Sequence, residues 1–349
     1  MGLKYLSRMS TESVLDEQGK PVTVLSRDLT DYDLRCFNAL ATRRVLTCDT
    51  IAKMIGGVPK SVRDRFNVLK RKPNQFVKVC DEQTSNPKQH LKSKLYYELA
   101  EAGMTALEER GHRIARRPRM KRLKHQAMTD EIMASWHIGF AEFTEFTPIW
   151  WAEIMASEKT PIKTREAKHP SLIPVTFEYN GKEIKDLSYE VDDKPFGFLR
   201  PDRRAMFIMI EADCDSESAT SDSYTYTSLQ RKFTQQIAIL EQELYRSHFG
   251  FPNIHFLYYV PTVRRMESAM GVLEDLTKNK PKLRRSFGFT VHPTFTNYEQ
   301  KEPSAWALTD DYQRVGCEPL NFTAGGEHGR TAIADQNLDR GDRREGDRA

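Results

Sequence analysis

Apolar residues recur at helical spacing three times in quick succession between Thr30 and Arg71. Leu34, Phe37 and Leu40 make the first stripe, Ile51, Met54 and Ile55 the second, and Val62, Phe66 and Leu69 the third. Each helix has its own start signal. Thr30 caps the first, with Asp31 and Asp33 in the turn where the helix dipole favours anions. Thr47 and Asp49 open the second and Gly56-Gly57 stops it, while Pro59 and Ser61 open the third. After Arg71 the period shortens to that of strands. Gln75 to Cys80 reads as one strand and Leu95 to Leu99 as a returning one, joined by a polar loop that carries Lys88, Lys92 and Lys94. A fourth helix, Ala100 to Arg110, ends at Gly111.

The third helix leaves Lys60, Arg63, Asn67, Lys70 and Arg71 for the face away from its apolar stripe. That is the pattern of a recognition helix, whose cations and amides reach phosphates and base edges. An ordinary amphipathic helix with a solvated basic face has the same pattern. The two strands that follow decide for a winged helix-turn-helix over residues 28–111. Its wing lysines, Lys88, Lys92 and Lys94, are expected along the phosphate backbone, adding affinity without sequence information.

Residues 1–27 read as a polar arm with a short hairpin at EQGKPVTVL. Residues 112–124 carry seven cations and no acid, and read as a basic linker. From His125 to about Trp151 the pattern is helical and aromatic, with Trp136, Phe140, Phe143, Phe146, Trp150 and Trp151, which fits a helix packed on a sheet. A hairpin turned at Asn180-Gly181 comes next. Phe196 to Leu199 is a short strand, and the apolar run Met206 to Ile210 is a strand buried on both faces. A long helix from Thr227 to about His248, a strand from Ile254 to Val260, a helix from Val263 to Lys278 and a strand from Phe287 to Val291 complete the reading. The fold class is mixed α/β: a winged helix-turn-helix, then an α/β sandwich over residues 125–302. Residues 303–349 are expected to be a largely disordered tail, most of all after Asn321, where Gly, Asp and Arg dominate.

The chain of 349 residues is long enough for two cores. Its net charge of +4 hides an asymmetry. Residues 1–124 hold 26 Lys and Arg against 14 Asp and Glu, net +12, and residues 125–349 hold 27 against 35, net −8. One part is therefore suited to a polyanion and the other to different work. The five cysteines stand singly, so neither a zinc finger nor a disulfide frame is written. The N-terminus lacks a signal-peptide core, and its Gly2 lacks the Ser or Thr that a myristoylation site needs. No apolar run spans a bilayer, so no membrane association is expected, and the single cysteines fit a reducing cytoplasm.

Candidate chemistry sits in the second half. Asp202 follows one strand, and Glu211 and Asp213 end the next, two apart and so on one face. Three carboxylates converging there would hold Mg²⁺ or Mn²⁺, which prefer oxygen, and activate water for phosphoryl chemistry. Acids also gather at strand ends simply because loops are polar, and DCDSES is acid-rich throughout. His125 and His137 lack a metal-ligand partner, and nothing beside Tyr224 or Tyr226 would activate a phenol. Phosphate-loop, dinucleotide, nucleophile-elbow and zincin motifs are absent, as is the His-hydrophobe-His cluster of rolling-circle relaxases.

Taken together, the chain resembles the replication-relaxation proteins of bacterial plasmids and mobile elements. The resemblance covers roughly residues 28–292. It rests on LTDYDLRCFNAL, RRVLTCDTIAKM, LYYELAEAGMTALEERG and His125 opening the next helix, then on RPD at Arg200 to Asp202, IMIEAD at Ile208 to Asp213, Lys232 and HFLYYV. Their order and spacing carry the match. The resemblance implies an N-terminal winged helix that binds double-stranded DNA, and a role in plasmid replication, its control or mobilisation. The second half also looks like the PD-(D/E)xK nuclease fold, with Asp202 matching its Asp and Glu211 its Asp/Glu. The lysine expected two residues after Glu211 is replaced by Asp213, and Lys232 on the next helix is placed to fold back in its stead. Three functions follow: a sequence-preferring DNA-binding protein that needs no cofactor to bind; a Mg²⁺- or Mn²⁺-dependent endonuclease or nickase using Asp202, Glu211, Asp213 and Lys232; and a non-catalytic adaptor recruiting a replication or transfer protein. Winged helices often act as dimers on repeated half-sites, which makes a homodimer a candidate state.

Overall fold

A computed structural model describes residues 10–15, 21–26, 29–72, 75–81, 83, 95–112, 123–189, 194–214, 217–221, 223, 227–292 and 302–323. The chain divides into two compact units, Met1–Lys121 and Arg122–Ala349.

In the first unit, β1 (Ser10–Leu15) and β2 (Pro21–Ser26) pair antiparallel. Then come α1 (Asp31–Thr42), β3 (Leu46–Thr47), α2 (Cys48–Ile55), α3 (Pro59–Leu69), β4 (Val77–Val79), β5 (Tyr96–Leu99) and α4 (Glu101–Glu108). β5 lies between β3 and β4 and is antiparallel to both.

The starts of α1 and α2 follow the sequence signals. Thr30 and Asp33 cap each other's backbone N–H groups at α1. Thr47 caps α2, and Gly56 ends it with φ +66°, a conformation that favours glycine. α3 starts at Pro59, two residues before Ser61, because a proline at the first helical position gives up an N–H that has no partner there anyway. Phe37, Leu40, Ile51, Val62, Phe66 and Leu69 are buried, and Leu34, Met54 and Ile55 are half-buried. Fully burying Val62, Phe66 and Leu69 contributes about 1.5–3 kcal/mol each. The Phe66 ring meets the Tyr97 ring edge-on at 5.1 Å, which seats α3 on the small sheet.

The second unit is a mixed α/β body around a seven-stranded sheet. Its elements are α5 (Leu123–Glu142), β6 (Thr147–Ile149), α6 (Trp151–Ala156), α7 (Ile162–Arg165), β7 (Ile173–Tyr179), β8 (Lys182–Tyr189), β9 (Phe196–Leu199) and β10 (Ala205–Ala212). After these come α8 (Leu229–Glu241), α9 (Leu244–Phe249), β11 (His255–Val260), α10 (Val263–Leu276), a 3₁₀ turn, β12 (Phe287–Val291), α11 (Trp306–Thr309), β13 (Tyr312–Arg314) and β14 (Cys317–Leu320). The sheet order is β14-β13-β12-β11-β10-β9-β6. β10, β11 and β12 run parallel; the other pairings are antiparallel.

β10 is buried on both faces, as its apolar run predicts. Phe207 and Met209 join one core with α8, α10 and the β7–β8 hairpin, and Met206, Ile208, Ile210 and Ala212 join another with α5. The hairpin turns at Asn180 and Gly181, with φ 50° and 74°, the left-handed pair that an Asn-Gly hairpin turn needs.

Three expectations differ from the structure. The helix begun near His125 stops at Glu142, and β6 follows it on the outer edge of the sheet. Pro148 sits in the middle of β6, and proline is tolerated in edge strands, so periodicity alone does not reveal this one. The long helix from Thr227 is broken at Glu243, whose φ is 49°, into α8 and α9. The folded body does not end at residue 302. Trp306, Leu308, Tyr312 and Phe322 are buried in the core beneath α5. The Trp136 indole N–H donates to the Tyr259 hydroxyl at 3.0 Å, the Tyr259 and Tyr312 hydroxyls are 2.8 Å apart, and the Tyr312 hydroxyl donates to the Ala307 carbonyl. Since Tyr312 spends its one proton on Ala307, Tyr259 is the donor between the two phenols. A periodicity reading misses this stretch because its elements are only three or four residues long.

Phe322→Ala is expected to destabilise the second unit by about 3–5 kcal/mol. A chain ended after residue 302 is expected to lose its cooperative melt, and one ended after 323 to keep it, as read by calorimetry.

Candidate functional site

In the first unit, α3 holds most of the expected DNA-facing residues. Lys60, Arg63 and Arg71 are exposed, and Asn67 and Lys70 are half-buried. Arg63 lies 3.4 Å from Asp49 across the α2–α3 turn, yet its side chain keeps 55% of its exposure. A surface pair of this kind is worth at most about 1 kcal/mol, so it does not hold Arg63 back from a phosphate or base. Lys88, Lys92 and Lys94 lie outside the described residues.

The strongest interaction on α3 involves a residue the sequence reading passed over. Arg65 faces inward and grips Asp33 with two bonds, Nε to Oδ1 at 2.6 Å and Nη2 to Oδ2 at 2.7 Å. The Asp33 side chain is wholly buried and also accepts from the Thr30 backbone N–H at 2.8 Å. One carboxylate therefore caps α1 and ties α3 to it. This fixes the rotation of α3 about its axis, and so fixes which cations face outward. The signal was available: an acid three residues after a capping Thr, and one arginine on the apolar side of an otherwise outward-facing basic set. Burial raises the Cys36 and Cys48 thiols to about 12 and 11, which keeps both as neutral core residues.

In the second unit the structure separates the three carboxylates expected to converge. Asp202 lies in the exposed turn before β10, where its carboxylate takes the Arg204 backbone N–H at 3.1 Å. Glu211 is near the other end of β10 and Asp213 just beyond it. A strand rises about 3.3 Å per residue, so Asp202 and Glu211 stand roughly 25 Å apart. The error lay in taking Asp202 as the end of a strand that comes back beside Glu211. β9 and β10 form a tight antiparallel hairpin, so the end of β9 meets the start of β10.

Glu211 and Asp213 do share a face, as their spacing predicts, and both are buried. Each has its cation. Lys232, reaching from α8, places Nζ 3.1 Å from Glu211 Oε2 and 3.3 Å from Glu217. The Gln236 amide donates to Glu211 Oε1 at 3.3 Å and accepts from the Tyr258 hydroxyl at 2.8 Å. Arg265, from α10, meets Asp213 Oδ2 with Nε at 2.6 Å and the Glu217 carbonyl with Nη2 at 2.9 Å. Lys232 thus reaches back to Glu211 from the next helix, while Gln236 and Arg265 are partners the sequence reading missed.

The donor set does not suit a divalent cation as it stands. Both Glu211 oxygens and Asp213 Oδ2 already take protein N–H groups, and Asp202 is at the far end of the strand. Among the described residues no group of three or more His, Cys, Asp or Glu is placed to hold a metal. No protein-family model, no curated protein and no solved structure matches the chain. Among the described residues no helix is long and apolar enough to cross a membrane.

Asp33→Ala leaves the Arg65 guanidinium without its partner and uncaps α1. It is expected to cost about 3 kcal/mol, read as a shifted denaturant midpoint, with Asp33→Asn recovering only part of the loss.

Proposed function

We propose that this protein binds double-stranded DNA with a sequence preference, that its first unit is a winged helix-turn-helix, and that it acts in plasmid or mobile-element replication, its control or mobilisation. The observation that carries the reading is α3: its apolar side is wholly buried while Lys60, Arg63 and Arg71 stay exposed. A helix-turn-helix followed directly by two paired strands supports a wing between them. The charge of +12 over residues 1–124 supports a polyanion as its partner. The role in replication rests on the family resemblance in the sequence.

In the second unit, a buried glutamate at a strand end with a lysine reaching it from the next helix supports a nuclease-like ancestry. The same contacts favour binding over cleavage. Lys232 and Arg265 neutralise the two acids, and Asp202, the third acid of the expected metal clamp, stands at the far end of the strand. On this reading the second unit recruits or positions rather than cuts. A replication or transfer protein is its candidate partner, and a homodimer on repeated half-sites is the assembly a winged helix favours.

Arg63→Ala with Asn67→Ala is expected to weaken binding to a preferred duplex by about tenfold or more while changing random-duplex binding much less. Equal losses on both would reduce α3 to a backbone contact. Incubated with supercoiled plasmid and Mg²⁺ or Mn²⁺, the protein is expected to retard the plasmid and to leave it supercoiled once protein is removed. Nicked or linear product that disappears in Glu211→Gln would instead establish a nuclease.

A further inference from the structure

The end of the large sheet away from Glu211 has the opposite chemistry. Three positions there lie toward the face that carries α5. Arg200 follows Phe198 by two residues, His255 precedes Leu257 by two, and Arg314 follows Tyr312 by two; all three apolar residues belong to the core beneath α5. Strand alternation puts His255 on that face; Arg200, one residue past β9, reaches the same core through Met206, and Arg314 and Arg200 both act on His255. The register brings them to the same end. β9 and β13 finish, and β11 starts, where the parallel strands begin.

These side chains are short of partners. Arg200 forms no ion pair with a described carboxylate; its Nη1 rests 4.0 Å from Met206 Sδ, and its Nε is buried without a described hydrogen bond. His255 Nδ1 is likewise buried and without a described partner. Arg314 gives its Nε to the Glu318 backbone carbonyl at 2.5 Å, and the Glu318 carboxylate is the acid that acts on it. Among the described acids at this end, Asp202 is 3.9 Å from Arg204, and Glu142 at the end of α5 and Glu145 before β6 are exposed. Arg285, just before β12, adds its charge beside Arg314. Burial, then the charges of Arg314 and Arg200, push the His255 imidazole down to about 4. It is therefore neutral at pH 7 and offers an N–H without adding a third repelling charge. Two guanidiniums acting on one neutral imidazole with so few acids nearby are costly for the free protein, and a bound anion would relieve that cost. Arginine forks match the oxygens of a phosphate group two at a time.

We propose that Arg200, His255 and Arg314, with Arg285 at the rim, form a phosphate-binding site where β10, β11 and β12 begin. The site is on the second unit and does not depend on the first unit's binding DNA. Its chemistry fits either a phosphodiester of a nucleic-acid backbone or a free phosphate group.

The test uses the full chain and two probes. Calorimetric titration with inorganic phosphate is expected to show saturable binding that Arg200→Gln with Arg314→Gln weakens by about tenfold or more. Arg314→Gln alone, at a half-exposed position, serves if the double variant fails to fold, and is expected to weaken binding in the same direction. No saturable heat in the wild type, or heat unchanged in a folded variant, overturns the proposal. Duplex binding across a salt series then identifies the source. A slope of log affinity against log salt that is shallower by about two in the double variant marks backbone phosphates as the ligand. An unchanged slope, or no duplex binding by either protein, with the phosphate heat still lost in the variant, marks a free phosphate compound and leaves the site itself established.

Discussion

A carboxylate taken out of water must be given a cation or a proton, and β10 takes two of them out together. Glu211 and Asp213 sit at the end of a strand whose other residues are packed on both faces by apolar side chains. Desolvating one such charge costs several kcal/mol, which hydrogen-bonded partners must offset. The partners come from different helices, Lys232 from α8 and Arg265 from α10, and both also bind Glu217. The charge requirement of one strand end thus sets how two helices lie on the sheet. It also limits the chemistry available there. A lysine held between Glu211 and Glu217 steadies charge, but it is no longer free to orient a water without giving up one of them.

The first unit solves the same problem on a smaller scale. Asp33 is buried, and Arg65 supplies the fork that satisfies it. The consequence for function is geometric. With Arg65 turned inward, α3 presents Lys60 and Arg63 outward, with Arg71 exposed just past its end. A structural ion pair and an exposed basic face are two sides of one helix here, and the first orients the second.

Much of the fold was legible in the sequence, and for a physical reason. Where an element buries one face over several turns, as in α3, or both faces along a strand, as in β10, its period must appear in the residues. The Asn180-Gly181 turn was legible because few residue pairs tolerate its backbone angles. The parts that were not legible are those whose stability is non-local. β6 is three residues around a proline, and α11, β13 and β14 are three or four residues each, ordered by contacts with Trp136 and Tyr259 more than 120 positions apart in the chain. The candidate site divided the same way. The two-residue spacing of Glu211 and Asp213 specified a shared face, which holds. The placing of Asp202 beside them needed the pairing direction of β9 and β10, which composition and spacing do not carry.

The charge asymmetry along the chain also has a limit as an argument. A net −6 over the second unit, −8 over residues 125–349 plus Arg122 and Lys124, describes its far field, and that field is screened within about 10 Å at ordinary salt. Inside that distance the local arrangement decides. At one end of the sheet the buried Glu211 and Asp213 each have a cation. At the other, arginines outnumber the acids that reach them. A domain that is acidic in total therefore does not have to repel a polyanion everywhere. With the proposed phosphate site, it would meet one in a single orientation, its paired acids turned away and Arg200 and Arg314 turned toward the charge.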